Sequence, residues 1–263
     1  MRRLSDLSLG GFVALTLFFL YAPVAVLILF SFNDSRLMTL PLSGFTWDWY
    51  KAVFANEAMM RALRNSLFVA SVATVISLVI GTMAAFALDR IRFPGKTMFR
   101  RIILLPISLP GIIIGISILN MSSAVGLRLS LTTVILGHTA MLLAIVVTQV
   151  FARLKRMDRS IEEAAADLGA SPWQTFTRVT LPNIRSALIG SGLLSFTVSF
   201  DDVPITFFLT GRENTLPMYI YSAMRRGPSP EFNAVSTMIF IGSLALIIFS
   251  IILLTRDKGE SNV

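Results

Sequence analysis

Residues 159–185 read RSIEEAAADLGASPWQTFTRVTLPNIR, a polar segment between two long apolar stretches. Ser160, with Glu163 three positions later, has the spacing of a capping box and predicts a helix start, because this pair satisfies two free backbone donors. Gly169 predicts the end of that helix, since glycine readily adopts the left-handed conformation found there. Four residues between them share one apolar helical face: Ile161, Ala164, Ala165 and Leu168.

A second short helix is predicted directly after this turn. Ser171 is a capping residue, Pro172 suits the first helical position, and Gln174 completes another capping box. Its apolar side consists of two aromatic residues, Trp173 and Phe176. We expect Pro182 to close the element. The segment is therefore predicted to be a pair of amphipathic helices at a membrane surface.

Outward from this segment, six apolar stretches have the length of a membrane span. A helix needs about 20 apolar residues to cross the hydrocarbon core, since each residue rises about 1.5 Å. The stretches are Phe12–Phe32, Ser66–Leu88, Ile102–Met121, Leu131–Phe151, Ala187–Leu209 and Ala234–Leu254. Of the 263 residues, 54% are hydrophobic and 14% are charged. We predict an all-α membrane protein with six transmembrane helices in a single domain, residues 1–263.

The basic residues predict the orientation. Lys and Arg concentrate before the first span, between the second and third, between the fourth and fifth, and after the sixth. Positive residues favour the cytoplasmic side, so both termini are expected in the cytoplasm. The same rule explains the net charge of +8 without a nucleic-acid partner. The apolar run after Arg2 and Arg3 is longer than a cleaved leader, so we expect a retained first span.

The residues for catalysis and metal binding are sparse. The chain has no cysteine and one histidine, His138, so we expect no disulfide, no metal site and no catalytic group. Gly95, Lys96 and Thr97 are similar to the end of a phosphate-binding loop, but Arg90 stands where its first glycine would be. We interpret this tripeptide as a turn.

The 159–185 segment resembles the signature of the transmembrane subunits of binding-protein-dependent ABC importers. That signature is Glu-Ala-Ala, three residues, Gly, nine residues, then Ile-x-Leu-Pro. Val179 replaces the isoleucine here. The resemblance implies the type I importer permease fold and a cytoplasmic coupling helix that docks on a partner ATPase. The residues that it implies for coupling are Glu163, Ala164, Ala165, Gly169, Leu181 and Pro182.

The resemblance also implies the partners and the energy source. A second, similar permease would complete the pore in the bacterial inner membrane, and an external solute-binding protein would deliver the solute. An ATPase dimer would bind ATP and Mg²⁺, because this chain has no nucleotide site of its own and would not be an enzyme. No cofactor is expected in this chain.

Two acidic residues, Asp201 and Asp202, fall within the fifth apolar stretch. An ionised carboxylate inside a bilayer costs about 2.5–3.5 kcal/mol on insertion scales, so such a residue normally faces a cavity or a partner. One interpretation is an acidic substrate path for cations. The other is pairing with a neighbouring subunit, or capping of a helix broken near Pro204. Successive helical residues point about 100° apart, so we expect only one acid to line a path.

The last third of the chain narrows the resemblance. SFDDVPITFFLTG and the Pro-Glu-Phe-Asn-Ala segment at 230–234 are similar to permeases of spermidine and putrescine importers. This resemblance implies polyamines as the solute. Related permeases carry 4-aminobutyrate, opines, iron or thiamine, and the sequence does not exclude any of these solutes.

Three other features have structural interpretations. Pro106 and Pro110 predict a kinked or partly unwound third span, which either lines a transport path or is tolerated by packing. Gly111 and Gly115 predict close helix packing, and His138 predicts a hydrogen-bonded interior position, with a proton relay as the alternative. A self-sufficient secondary transporter would usually show internal repeats, and none is visible. An intramembrane enzyme would need convergent catalytic groups, and the sequence shows none.

Overall fold

The structure is a computed structural model that describes residues 2–225, 227 and 229–259. Within these residues the regular elements are helices, with one isolated antiparallel bridge between Asn33 and Phe45. The α-helices are α1 (Arg2–Ser31), α2 (Asp48–Ala55), α3 (Glu57–Arg90), α4 (Lys96–Leu104), α5 (Gly111–Ala124), α6 (Leu131–Arg156), α7 (Ser160–Asp167), α8 (Pro172–Thr175), α9 (Leu181–Phe200), α10 (Pro204–Leu209), α11 (Leu216–Met224) and α12 (Pro230–Gly259). A 3-10 turn, Leu105–Ser108, follows α4, and a π-helical turn, Phe176–Thr180, follows α8.

Three helices in the described part of the chain are long and apolar enough to cross a membrane: Leu9–Ser31, Glu57–Arg90 and Leu131–Arg156. A fourth candidate is the pair Lys96–Ser108 and Gly111–Ala124, which is bent by 112°. The bend lies at Pro106 and Pro110, where proline removes backbone donors and stops a regular helix. The kink predicted within this apolar stretch is therefore confirmed.

The chain divides into two compact units, and Met1–Met60 with Ile220–Val263 form the first. In this unit α1 and α2 pack against α12. The segment after α1 is held by Asn33, whose side-chain oxygen accepts from the Ser43 amide at 3.0 Å. The Trp49 indole donates to the Asn33 carbonyl at 2.7 Å. These bonds explain why a loop with little regular structure adopts one defined path.

Arg61–Tyr219 form the second unit, in which α6 is the central helix. One core cluster joins α6 to α3, α5 and α10; its buried members are Val69, Ala73, Ile114, Val134, Ile135, Leu142, Ile205 and Leu209. A second cluster joins α6 to α3 and α9; its buried members are Ala85, Val146, Val150, Leu154 and Ile184. A Cβ on Gly81 would lie 2.8 Å from Val146 Cγ1, so this glycine lets α3 approach α6 closely.

Candidate functional site

The loop after α6 opens the first of the two short helices, but not with the predicted cap. The Asp158 carboxylate accepts from the Ser160 amide at 3.0 Å. The amides of Glu162 and Glu163 both donate to the Arg159 carbonyl, so the cap position is Arg159, one residue before the predicted cap, and α7 starts at Ser160. The predicted Ser160–Glu163 capping box is therefore wrong: Ser160 already lies in the first turn. Hydrogen bonds from Ser160 lower the pKa of Asp158.

The turn between α7 and α8 has the predicted form. Gly169 has φ +83°, and its amide donates to the Ala166 carbonyl at 2.9 Å. The Ala170 amide donates to Ala165 at 3.0 Å, which completes a Schellman motif. Ser171 and Gln174 then form the predicted capping box: Ser171 Oγ accepts from the Gln174 amide at 3.3 Å, and Gln174 Oε1 accepts from the Ser171 amide at 2.8 Å.

The end of this segment differs from the prediction. The helix does not stop at Pro182, because the π-helical turn Phe176–Thr180 continues α8 directly into α9. A proline normally loses the bond to the carbonyl four residues earlier and clashes with it. A wider π-helical turn just before Pro182 removes that requirement. Pro182 is thus a first-turn residue of α9, and the expectation that it closes the element is wrong.

An ion cluster attaches α7 to the ends of α3 and α6. Glu162 Oε2 lies 2.8 Å from Arg90 Nη2, and Glu162 Oε1 accepts from the Thr180 hydroxyl at 2.6 Å. The fully buried Asp89 carboxylate lies 3.1 Å from Arg90 Nη1 and 3.1 Å from Lys155 Nζ. Arg159 also contacts Asp89, at 3.4 Å. Several cations thus compensate the buried Asp89 carboxylate, and this network attaches α7 to α3 and α6 within the second unit.

The anchoring role of Asp89, Arg90 and Glu162 is not among the predictions from the sequence, although the sequence carries a signal for it. Asp89 is the one acidic residue between Glu57 and Asp158, and it ends a long apolar helix beside Arg90. A lone acid in such a place needs a compensating partner. Glu162 differs from its neighbour Glu163 in that its side chain faces the chain's own interior, whereas Glu163 is exposed.

The residues predicted for coupling form an outward surface on this chain. Glu163, Ala164 and Gly169 are exposed, and Ala165 is half-buried. Leu181 and Pro182, at the start of α9, are exposed as well. Two large apolar side chains extend this surface: Leu168 is 90% exposed and Trp173 is 71% exposed. We use the name α7–α8 surface for the residues of this set that lie on α7, in the Gly169 turn and on α8: Glu163, Ala164, Ala165, Leu168, Gly169 and Trp173.

The fifth predicted span is broken at its two acids. Helix α9 ends at Phe200, residues Asp201–Val203 are not helical, and Pro204 begins α10. The predicted continuous span Ala187–Leu209 is therefore interrupted. Asp202 Oδ2 accepts from the amides of Ile205 at 3.0 Å and Thr206 at 3.1 Å. It satisfies backbone donors that the start of α10 would otherwise leave free.

His138 on α6 holds this break from the other side. Its Nε2 lies 3.2 Å from Asp202 Oδ2 and 3.0 Å from Thr206 Oγ1. Its Nδ1 lies 2.7 Å from Ser199 Oγ, and the residue is fully buried. The prediction of a hydrogen-bonded interior histidine is confirmed. His138 thus contacts the last turn of α9 and the first turn of α10 together.

The two acids differ in their surroundings. The Asp202 side chain is only 8% exposed and belongs to the hydrogen-bonded cap, as the capping alternative predicts. Asp201 is exposed at the same break. A carboxylate that is exposed next to a broken helix is free to meet a solute or another chain, whereas one that caps a helix is occupied.

Three glycines bring α10 close to α5 and α6. A Cβ on Gly111 would lie 3.1 Å from Pro204 Cβ, and one on Gly115 would lie 2.9 Å from Phe208 Cδ2. A Cβ on Gly137 would lie 2.7 Å from both Ile205 and Leu209. The prediction that Gly111 and Gly115 mark close packing is confirmed. Because these glycines lack side chains, α10 and the non-helical residues before it can lie directly against α5 and α6.

Comparison with known proteins identifies the architecture. Residues 77–256 match the family of binding-protein-dependent transport system inner membrane components. This chain belongs to that family. The prediction of an ABC importer permease subunit is confirmed, and so is its place in a bacterial inner membrane. The match includes α6, the ion cluster, the α7–α8 surface and the break at Asp201.

Relatives of the permease match it over most of its length. It is 39% identical to the putrescine transport system permease protein PotI of Escherichia coli K12, over 88% of this chain and 84% of that protein. It is 36% identical to the spermidine/putrescine permease PotC of the same organism, over 96% of both. The sulfate permease CysT of that organism is 28% identical, over 97% of this chain and 93% of that protein.

Solved structures confirm the type I importer permease fold. A crystal structure of a bacterial ABC transporter that imports alginate aligns with a TM-score of 0.71 at 19% identity, over 96% of both chains. A second structure of an alginate transporter contains a periplasmic protein loaded with an alginate pentasaccharide, and it aligns equally well at 18% identity. At this identity the likeness describes the fold alone.

Proposed function

We propose that this permease forms half of the pore of a polyamine importer. The observation that carries the proposal is the exposed Asp201 carboxylate at the break between α9 and α10, in a chain 36–39% identical to putrescine and spermidine permeases. Polyamines are multivalent cations, so a carboxylate in the path attracts them. The same carboxylate repels a dianion such as sulfate. Sulfate is the solute in the name of CysT, a relative with lower identity to this chain.

The permease crosses the membrane six times in this proposal. The spans are α1, α3, the bent pair α4–α5, α6, the broken pair α9–α10 and α12; within the bent pair, α4 lies at the membrane surface and α5 crosses the hydrocarbon core. Contacts of Asp89 with Lys155 and Arg159 support one shared side for the end of α3 and the loop after α6. That side is rich in Lys and Arg, which supports a cytoplasmic position for it, and in this proposal both termini lie on the same side.

Residues 159–185 act as the coupling element. The α7–α8 surface, with Glu163, Ala164, Ala165 and Gly169, docks on a partner ATPase, and Leu181 and Pro182 continue it into α9. Support comes from the exposure of Leu168 and Trp173 and from the ion cluster that ties α7 to α3 and α6. A surface that is both exposed and rigidly attached is suited to transmit a displacement from another protein.

The transport cycle requires three kinds of partner. A second permease completes the pore, an ATPase dimer binds ATP and Mg²⁺, and an external solute-binding protein delivers the polyamine. ATP binding draws the ATPases together and opens the cavity outward, and hydrolysis resets the inward-open state. The permease itself holds no nucleotide. Gly95 supports this view, because with φ +81° it forms a turn, and Lys96 Nζ donates to the Ile91 carbonyl at 2.9 Å.

Uptake of radiolabelled solutes tests the substrate. The complete transporter is expressed in cells that lack their own polyamine importers, and putrescine, spermidine, 4-aminobutyrate and sulfate are compared. We expect ATP-dependent accumulation of putrescine or spermidine only. Accumulation of sulfate or 4-aminobutyrate without a polyamine would reject the substrate while leaving the importer architecture intact.

A further inference from the structure

Helix α4 presents a polar and an apolar side without burying either. None of its residues, Lys96–Leu104, is buried. Met98 is 60% exposed and Ile102 is 56% exposed, and the apolar side continues to Leu105 at 57%. A short amphipathic helix that follows a spanning helix is suited to lie at the membrane surface, with its apolar side among acyl chains.

Two cations from different helices meet at one aromatic ring beside α4. The Arg100 guanidinium lies 5.2 Å from the centroid of Phe151, and Lys155 Nζ lies 5.5 Å from it. Lys155 has Asp89 as its acidic partner at 3.1 Å. Arg100 and its neighbour Arg101 have no carboxylate within 4.0 Å in the described part of the chain. The charge at this place is therefore incompletely compensated by the protein, which favours an anion.

A hollow of about 260 Å³ lies between α3, α4 and α6 at these cations. Its walls are mainly apolar and include Leu88, Leu104, Val147 and Phe151, and Arg100 and Lys155 also line it. A second hollow along α4 shares Arg100 and Leu104 and adds Arg101 and Thr97. Cations next to an apolar wall fit a ligand that has a phosphate and a hydrocarbon chain.

We propose that this cleft, formed by Arg100, Arg101, Lys155, Phe151 and Leu104, binds an anionic phospholipid. The phosphate contacts Arg100 and Arg101, and the acyl chains follow Leu104 and Leu105 into the membrane. Charge complementarity selects an anionic over a zwitterionic lipid, and the apolar wall selects a lipid over free phosphate. The proposal concerns lipid selection by this permease and is independent of the transported solute.

Native mass spectrometry of the full-length chain in neutral detergent tests the cleft. Phosphatidylglycerol and phosphatidylcholine with matched acyl chains are titrated, and bound lipids are counted. We expect phosphatidylglycerol to bind more tightly. Arg100→Gln should weaken its binding about fivefold, the effect of one basic residue near an anionic lipid surface. Arg100→Lys should keep most of the wild-type affinity for phosphatidylglycerol, because lysine keeps the positive charge.

Arg92→Gln is the matched control, since Arg92 is an exposed cation in the loop just before α4 and outside both hollows. It should change the affinity less than about twofold. The proposal would be overturned if Arg100→Gln and Arg92→Gln lowered the affinity for phosphatidylglycerol equally, or if the wild type bound the two lipids with equal affinity. It would also be overturned if glycerol phosphate displaced bound phosphatidylglycerol as well as the lipid itself does. So would loss of the lipid when a second permease is added, because the face would then be a protein contact. If Arg100→Gln lowers the melting temperature, Arg101→Gln provides the same comparison.

Discussion

Arg90 Nη2 lies 2.8 Å from Glu162 Oε2, and the two side chains are only 18% and 19% exposed. This pair joins the last residue of α3 to the first turn of α7. Because the pair is largely shielded from water, it is screened less than a surface salt bridge. The attachment of the α7–α8 surface to the rest of the second unit therefore depends on Glu162, one residue before the glutamate of the family signature.

Glu162→Gln is expected to loosen this attachment. The amide keeps an acceptor for the Thr180 hydroxyl but loses the charge that faces Arg90, so the chain should lose about 1 kcal/mol of stability. Thermal unfolding of the purified chain measures this. A double-mutant cycle with Arg90→Gln should show that the two losses do not add. Additive losses would mean that the ion pair contributes nothing.

Glu163→Gln is the comparison for the neighbouring position. Its side chain is exposed, so we expect the melting temperature to stay unchanged while solute-stimulated ATPase activity of the assembled importer falls. Glu162→Gln should lower both. If Glu163→Gln leaves ATPase stimulation at the wild-type level, this glutamate has no part in coupling.

Asp201→Asn and Asp202→Ala are expected to separate transport from stability. Asp201 is exposed, so loss of its charge should raise the half-saturating putrescine concentration about fivefold, with no change in melting temperature. Asp202→Ala removes the cap of α10 and should cost about 1–2 kcal/mol. Uptake assays and thermal unfolding of both variants measure these effects. An unchanged half-saturating concentration in Asp201→Asn would remove the acidic path.

Gly137→Ala is expected to destabilise the second unit. The new Cβ would lie 2.7 Å from side-chain atoms of Ile205 and Leu209, and such overpacking costs about 1–3 kcal/mol. Gly190→Ala is the control, because no atom lies within 4 Å of its Cβ position. That change should stabilise helix α9 by about 0.5–1 kcal/mol. Equal effects of the two changes on thermal unfolding would contradict the close packing of α10.

Asp158 gives α7 a predictable dependence on pH. Hydrogen bonds from Ser160 lower the pKa of Asp158 in the folded state below its value in the unfolded chain. The carboxylate therefore stabilises the start of α7 fully at pH values above the unfolded pKa. The contribution is lost as the pH falls through the lowered pKa of the folded state. The protection factor for hydrogen exchange at the start of α7, which is the intrinsic exchange rate divided by the observed rate, should therefore fall in acid for the wild type. In Asp158→Ala the protection factor should be low at every pH, and a difference between the two chains that does not change with pH would contradict the carboxylate cap.

Local chemistry in the sequence predicts much of this structure. The apolar stretches predict the long helices, and Gly169, Ser171 and Gln174 predict the turn, because each acts on backbone atoms a few residues away. The error at Ser160 has the same origin, since Asp158 competes for the same backbone donor from two residues upstream. Two capping residues so close together are difficult to rank from spacing alone.

The rest could not be predicted because it depends on contacts between distant segments. Glu162 meets Arg90, and His138 meets Asp202, only after α3, α6, α7 and α10 have packed. Nothing in the spacing of Asp201 and Asp202 shows which acid caps α10. The continuation past Pro182 was also missed, because a π-helical turn leaves no simple pattern in the sequence.

The helical path from Pro172 to Phe200 is uninterrupted, although it changes from α to π geometry and back before Pro182. At about 1.5 Å per residue its length along the helix axis is roughly 40 Å, from the exposed indole of Trp173 to the residue next to Asp201. Axial compression of a helix is resisted by its hydrogen bonds along the whole length. If the α7–α8 surface docks on an ATPase as proposed, a push on the indole end would reach the non-helical residues Asp201–Val203 through one continuous run of backbone hydrogen bonds.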